Sequence, residues 1–139
     1  MAAAQYIMGL DYGASRIGVA LASAIARLPR PLTTLSTTDH VIEDIKQLIV
    51  QESVGVLVVG LPRTLNGDFS QQTHDAVAFA DRLKAELGLP VVMVDETLTS
   101  VNAEAQLAGK KHDKGAIDAL AATYILDRYF SEHQAETRI

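Results

Sequence analysis

The feature that most constrains the fold is a change of hydrophobic period after Leu35. Three short apolar runs precede it. Tyr6–Leu10 is a compact apolar segment closed by Asp11-Tyr12-Gly13, Arg16–Ala22 restarts the pattern after a turn, and Pro29–Leu35 follows with its prolines at the entrance. Runs of this length bounded by turn residues read as strands, and the brief link between the first two reads as a hairpin. Proline is best tolerated at a strand's start or edge. From Asp39 to Glu52 the period lengthens: Val41, Ile42, Ile45, Leu48 and Ile49 recur at helical spacing, with Thr38 or Asp39 as the expected cap. Val54–Val59 is a β-branched run closed by Gly60-Leu61-Pro62. Gln71–Leu87 is helical again, with Ala76, Phe79, Ala80, Leu83 and Leu87 on one face and Gly88 and Pro90 as stops. Val91–Val94 reads as a fifth strand running into Asp95-Glu96, Ser100–Ala108 as a short helix and Lys114–Phe130 as a longer one.

A meander followed by strand–helix–strand crossovers predicts an α/β fold, a mixed five-stranded sheet flanked by helices. By analogy with ribonuclease H-like nucleases and actin-like ATPases, the strand order is 3-2-1-4-5, with strands one, four and five parallel. No repeat, low-complexity stretch or linker interrupts the pattern, so residues 1–139 are expected to form one domain.

Composition narrows the function classes. No apolar run approaches the roughly 20 residues that cross a bilayer, and Met1–Tyr6 lacks the basic flank and apolar core of a signal peptide. The absence of cysteine excludes disulfides and thiolate metal sites and fits a cytoplasmic setting. His40, His74, His112 and His133 show no ligand spacing, so zinc is not expected. A net charge of −5 argues against tight non-specific nucleic-acid binding. Charge distribution counts for more than the sum, however. Acids crowd the helices at Asp39, Glu43, Asp44 and Glu52, whereas Arg27, Arg30, Arg63, Lys110, Lys111 and Lys114 fall in expected loops or element ends. Weak or structure-selective nucleic-acid binding is the expectation.

Three acids carry the chemistry. Asp11 ends a strand of apolar residues, where desolvation is costly unless a partner neutralises it. Read alone, it is equally a turn-forming residue. Glu96 lies just past the fifth strand, at the same expected sheet edge; side-chain alternation lets only one of Asp95 and Glu96 face Asp11. Alone, it reads more simply as a solvated loop acid. Asp118 is the most telling, because Ala121, Ala122, Ile125 and Tyr129 make the rest of its helical stripe apolar. Pairing with Lys114, four residues earlier, is the alternative account of it. The alanines at 116, 119, 121 and 122 would let this helix approach the sheet closely. Three acids from distant segments suit Mg²⁺, a hard cation held by carboxylates, waters and phosphate oxygens. Two such ions support in-line phosphoryl displacement. Tyr12 and Phe69 are candidates for base stacking, but core packing is expected of each.

The same residues resemble the motifs of the YqgF (RuvX) family. Asp11-Tyr12-Gly13 with Arg16-Ile17-Gly18-Val19-Ala20 is similar to that family's opening motif, and Val59-Gly60-Leu61-Pro62 with Asn66-Gly67 to its second. Asp95-Glu96-x-Leu98-Thr99-Ser100 and Lys114-Gly115-Ala116-Ile117-Asp118-x-x-Ala121-Ala122 resemble the remaining two, in order and across most of the chain. The resemblance implies a ribonuclease H-like nuclease with Asp11, Glu96 and Asp118 as catalytic, metal-holding acids, and Mg²⁺ or Mn²⁺, as two ions, for cofactor. It also implies a nucleic-acid partner (precursor 16S ribosomal RNA, or branched DNA of the Holliday-junction type), no membrane partner, and a monomer or homodimer. Arg16, Lys110, Lys111 and Lys114 are candidates for phosphate contacts. One departure is Thr97, where the family usually has arginine after the Asp-Glu pair; if that arginine contacts substrate phosphate, either binding here is weaker or Lys110, Lys111 or Lys114 substitutes for it. Two other classes remain open: an actin-like ATP-binding unit, and a non-catalytic RNA-binding or ribosome-assembly factor.

Overall fold

The computed structural model describes residues 6–62, 69–95 and 114–133, the side chains of 114–117 excepted. Its elements are β1 (Tyr6–Tyr12), β2 (Arg16–Ser23), β3 (Arg30–Ser36), α1 (Val41–Glu52), β4 (Val54–Leu61), α2 (Gln71–Leu87), β5 (Val91–Asp95) and α3 (Lys114–Glu132). The strands form one sheet in the order β3-β2-β1-β4-β5, as expected. β1–β2 and β2–β3 are antiparallel, while β1–β4 and β4–β5 are parallel. The C-terminal ends of β1, β4 and β5 therefore open on the same edge of the sheet. The short helix expected over Ser100–Ala108 and the turn at Asn66-Gly67 lie outside the described residues.

Alternation sorts each strand between two apolar layers. Met8, Leu10, Ile17, Val19, Leu21, Leu57, Val59 and Val91 pack with Val41, Ile42 and Ile45 of α1 and Phe79, Ala80 and Leu83 of α2. Ile7, Ala20, Ala22, Val58 and Val94 pack on the opposite face with Ala122, Ile125, Leu126, Tyr129 and Phe130 of α3. The α3 layer is thin because small residues face the helix. A Cβ on Gly9 would stand 2.7 Å from Leu126 Cγ, and one on Gly18 only 2.0 Å from the carbonyl oxygen of Asp118. At such separations no side chain fits, so these two positions set how closely α3 lies on the sheet.

The element ends are mostly made as the sequence suggests. Ser70 caps α2 by accepting from the Thr73 amide at 3.3 Å, and Gly88, in the left-handed region (φ 69°), closes it. At α1 the expectation fails. His40 occupies the cap position without a side-chain hydrogen bond. Thr38 instead accepts from the His40 amide through its hydroxyl at 3.1 Å and from the Val41 amide through its carbonyl at 3.2 Å. Its hydroxyl is spent on a local turn, so the helix starts two residues beyond Asp39. β3 is an outer strand with Pro31 inside it; the register slips by one residue beside that proline, between Val19 and Ala20. A residue without an N–H is tolerated at such an edge.

Thr73 joins the end of β4 to α2. It is fully buried, donates its hydroxyl proton to the Pro62 carbonyl and accepts from the Ser70 amide at 3.0 Å. Thr73→Val keeps the shape but leaves both backbone groups unsatisfied, each worth about 1–3 kcal/mol when buried. A loss of roughly 2 kcal/mol in urea unfolding is the expected result, against the near-neutral effect that an isosteric change gives where no hydrogen bond is lost.

Candidate active site

The site grows from alternation on two adjacent strands. On β1, Ile7 faces the α3 layer, so Gly9 and Asp11 share its face, while Met8 and Leu10 point to the other layer. On β2, Ala20 and Ala22 face α3, so Gly18 and Arg16 do too, with Ile17, Val19 and Leu21 opposite. Asp11 and Gly18 are direct cross-strand partners, and such Cα pairs stand about 4.5–5.5 Å apart. Gly18 in turn lies directly beneath the backbone of Asp118. The bare Cα of one glycine thus brings two acids, distant in sequence, to one patch at the C-terminal end of β1.

Asp118 is half-buried, and its neighbours Ala119, Ala121, Ala122 and Ile125 are buried against the sheet. The alanines do let α3 approach closely. Asp118's carboxylate accepts through Oδ2 from Arg16 Nε at 2.8 Å, with side-chain exposures of 26% and 39%. Among the described side chains, Asp118 is thus paired with this arginine, 102 positions away. The turn that carries Arg16 is braced from the end of β3: the Thr37 hydroxyl donates to the Gly13 carbonyl at 2.8 Å and the Thr37 amide to the Ser15 carbonyl at 3.0 Å.

The other expected site residues fare unequally. Val94 belongs to the α3 layer, so by alternation Asp95 is on the opposite face from Asp11. Glu96, Lys110 and Lys111 lie outside the described residues. Lys114 begins α3, one turn before Asp118, but its side chain is not among those described. Among the described residues, no three His, Asp or Glu side chains form a metal-binding group. Arg30 is drawn away from the site to Glu52, at 4.0 Å.

The two aromatics separate. Tyr12 packs against the α1/α2 layer with its ring 4.7 Å from that of Phe79, as expected. Phe69 corrects its expectation of core packing: it is 50% exposed and meets His74 edge-on at 5.7 Å. It stands two residues before α2 begins. Sequence reasoning also missed what Arg16 and Gly18 do together. The signal was present in Arg16–Ala22, where large side chains alternate with small ones and leave one face of the strand nearly flat.

A mixed sheet of this order, with helices packed on both faces, has the ribonuclease H-like fold. A family model described as RuvX, Holliday junction resolvase, matches residues 5–132, and the chain belongs to that family. Three relatives bear the name "Putative pre-16S rRNA nuclease". The one from Gloeothece citriformis is 37% identical over 92% of this chain and 89% of its own length. Those from Synechocystis and Shewanella oneidensis are 41% and 35% identical, over 88% and 94% of this chain and 84% and 96% of theirs. Among solved structures, Thermus thermophilus RuvC in complex with a Holliday junction substrate has the same fold. Its TM-score is 0.58 at 12% identity, over 92% of this chain and 96% of that one.

Proposed function

We propose that the chain is a metal-dependent nuclease that hydrolyses phosphodiester bonds of structured nucleic acid, with the precursor of 16S ribosomal RNA as its first substrate. The observation that carries this reading is that Gly18 is the cross-strand partner of Asp11 and also lies against the backbone of Asp118, near the C-terminal end of β1. The names of the relatives support the RNA substrate. A branched DNA junction is the second reading, favoured by the description of the family model.

The donor set fits a hard divalent cation. Carboxylates are what Mg²⁺ and Mn²⁺ take from proteins, and two of them on one patch need a positive partner. Asp11 and Asp118 would hold the metal, as a pair of ions, with Glu96 as the third acid. Glu96 directly follows β5 in sequence, and the alternation of β5 turns Asp95 away from Asp11. When bound, the metal supplies activation of the attacking water and stabilisation of the leaving oxygen. On this reading the chain contributes the two acids from a strand and a helix, β1 and α3. Arg16, Lys110, Lys111 and Lys114 are assigned to the substrate phosphates, a local basic contribution on a chain whose net charge is −5. The reading carries a cytoplasmic location with it. No helix among the described residues is long and apolar enough to cross a membrane.

Labelled precursor 16S RNA and a synthetic four-way junction, each incubated with the protein in Mn²⁺ or in EDTA, test the proposal. Cleavage of the RNA in Mn²⁺ and none in EDTA is expected. Cleavage of the junction alone moves the substrate to branched DNA. Well-folded protein that cuts neither identifies a binding factor instead.

A further inference from the structure

Arg16 stands where a substrate-binding residue is expected, yet its Nε–H is spent on Asp118. The contact engages one carboxylate oxygen only, Oδ2, through one nitrogen of the guanidinium. We infer that Arg16 is the positioning residue of this site: it fixes the Asp118 carboxylate through Oδ2 and presents Oδ1 to a divalent cation. The inference rests on the metal-site reading above and adds a residue to it that is not itself a ligand.

Three features of the structure build this arrangement. Gly18 presses the Asp118 backbone against β2, which fixes where the side chain starts. Arg16 lies two residues before Gly18 on the same face of β2, which fixes where the guanidinium starts. Thr37 ties the turn before Arg16 to the end of β3 through two hydrogen bonds, so the arginine is carried on braced backbone. A carboxylate on a helix otherwise rotates freely about its side-chain torsions. Holding one oxygen in a charge-assisted hydrogen bond removes that freedom before a metal arrives. Ligating carboxylates are commonly hydrogen-bonded from behind in this way, and loss of such a partner weakens metal binding roughly 10–100-fold.

Two opposing effects set the sign. The arginine's charge repels an incoming cation, whereas its hydrogen bond orients the ligand. The Arg16 side chain is 39% exposed, so solvent and salt screen the repulsion. The orientation is not screened, and it dominates.

The test is Mn²⁺ affinity, measured by calorimetry or by the free-ion EPR signal, on the full chain and on Arg16→Gln, Arg16→Lys and Asp118→Asn. Melting in EDTA verifies that each variant is folded. Arg16→Gln should bind Mn²⁺ about 10–100-fold more weakly, and Arg16→Lys, whose ammonium can still reach Oδ2, should regain part of the loss. Cleavage by Arg16→Gln should recover as Mn²⁺ is raised, which a residue serving only substrate or stability would not show. Arg16→Gln binding Mn²⁺ as tightly as the parent, or more tightly, overturns the inference while Asp118→Asn still weakens binding. If Asp118→Asn leaves Mn²⁺ affinity unchanged, the metal reading itself fails and takes the inference with it; that control separates the two failures.

Discussion

Asp118→Asn is expected to leave a folded protein that no longer cuts. The substitution keeps volume and helix geometry, and what it removes from the metal-free fold is one partly exposed ion pair with Arg16. Pairs of that kind contribute about 0–1 kcal/mol, so melting in EDTA should shift by no more than a few degrees. On the proposed reading, what it removes from the reaction is a charged oxygen ligand. A metal ion supplies several kcal/mol of charge stabilisation to the transition state, and each 1.36 kcal/mol is about tenfold in rate. A loss of roughly 10³-fold or more in single-turnover cleavage at saturating Mn²⁺ follows. A variant that retains a tenth of the parent rate would show that Asp118 is structural, held by Arg16 for the sake of the fold.

Gly18→Ala is expected to damage both stability and chemistry. The new Cβ would lie 2.0 Å from the Asp118 carbonyl oxygen and 2.9 Å from the Ala119 amide nitrogen. These are backbone atoms, so no side-chain rotation relieves the clash, and α3 must lift off β2. Overpacking a tight core costs about 1–3 kcal/mol and sometimes more; a backbone clash belongs at the upper end. In a chain of this size that lowers Tm by roughly 10 °C. The same shift carries Asp118 away from Asp11, so cleavage measured well below Tm should fall by a larger factor than the folded fraction does. Equal loss in the two measurements would separate the packing role of Gly18 from the site.

Much of this architecture was legible in the sequence because burial imposes period. β1 to β5 and the three described helices lie where the change from short apolar runs to helical spacing puts them. Asp118 announced itself by interrupting a stripe that Ala121, Ala122, Ile125 and Tyr129 otherwise keep apolar. The misses share a physical reason: each depended on a choice of partner that periodicity does not encode. The Thr38 hydroxyl had a local turn and a helix cap to choose between, and the turn won. Phe69 is hydrophobic but belongs to no periodic segment, and it came out exposed. The Arg16–Asp118 contact joins residues 102 positions apart, a separation that only the packing of α3 across β2 resolves. Asp11 was ambiguous alone and became informative only through its register with Gly18.

The distance along the chain between the two halves of the site also orders events in time. A ribosome makes the β1–β2 hairpin, with Asp11 and Arg16, long before it makes Asp118. Until then Gly9, Gly18, Ala20 and Ala22 lack the helix that packs on them in the folded protein. Domains tend to organise as their segments emerge, but here the segment that completes the chemistry is a late one. On the metal-site reading, a chain that stops short of α3 lacks one of the two acids, so the proposed chemistry waits on the packing of α3 across β2.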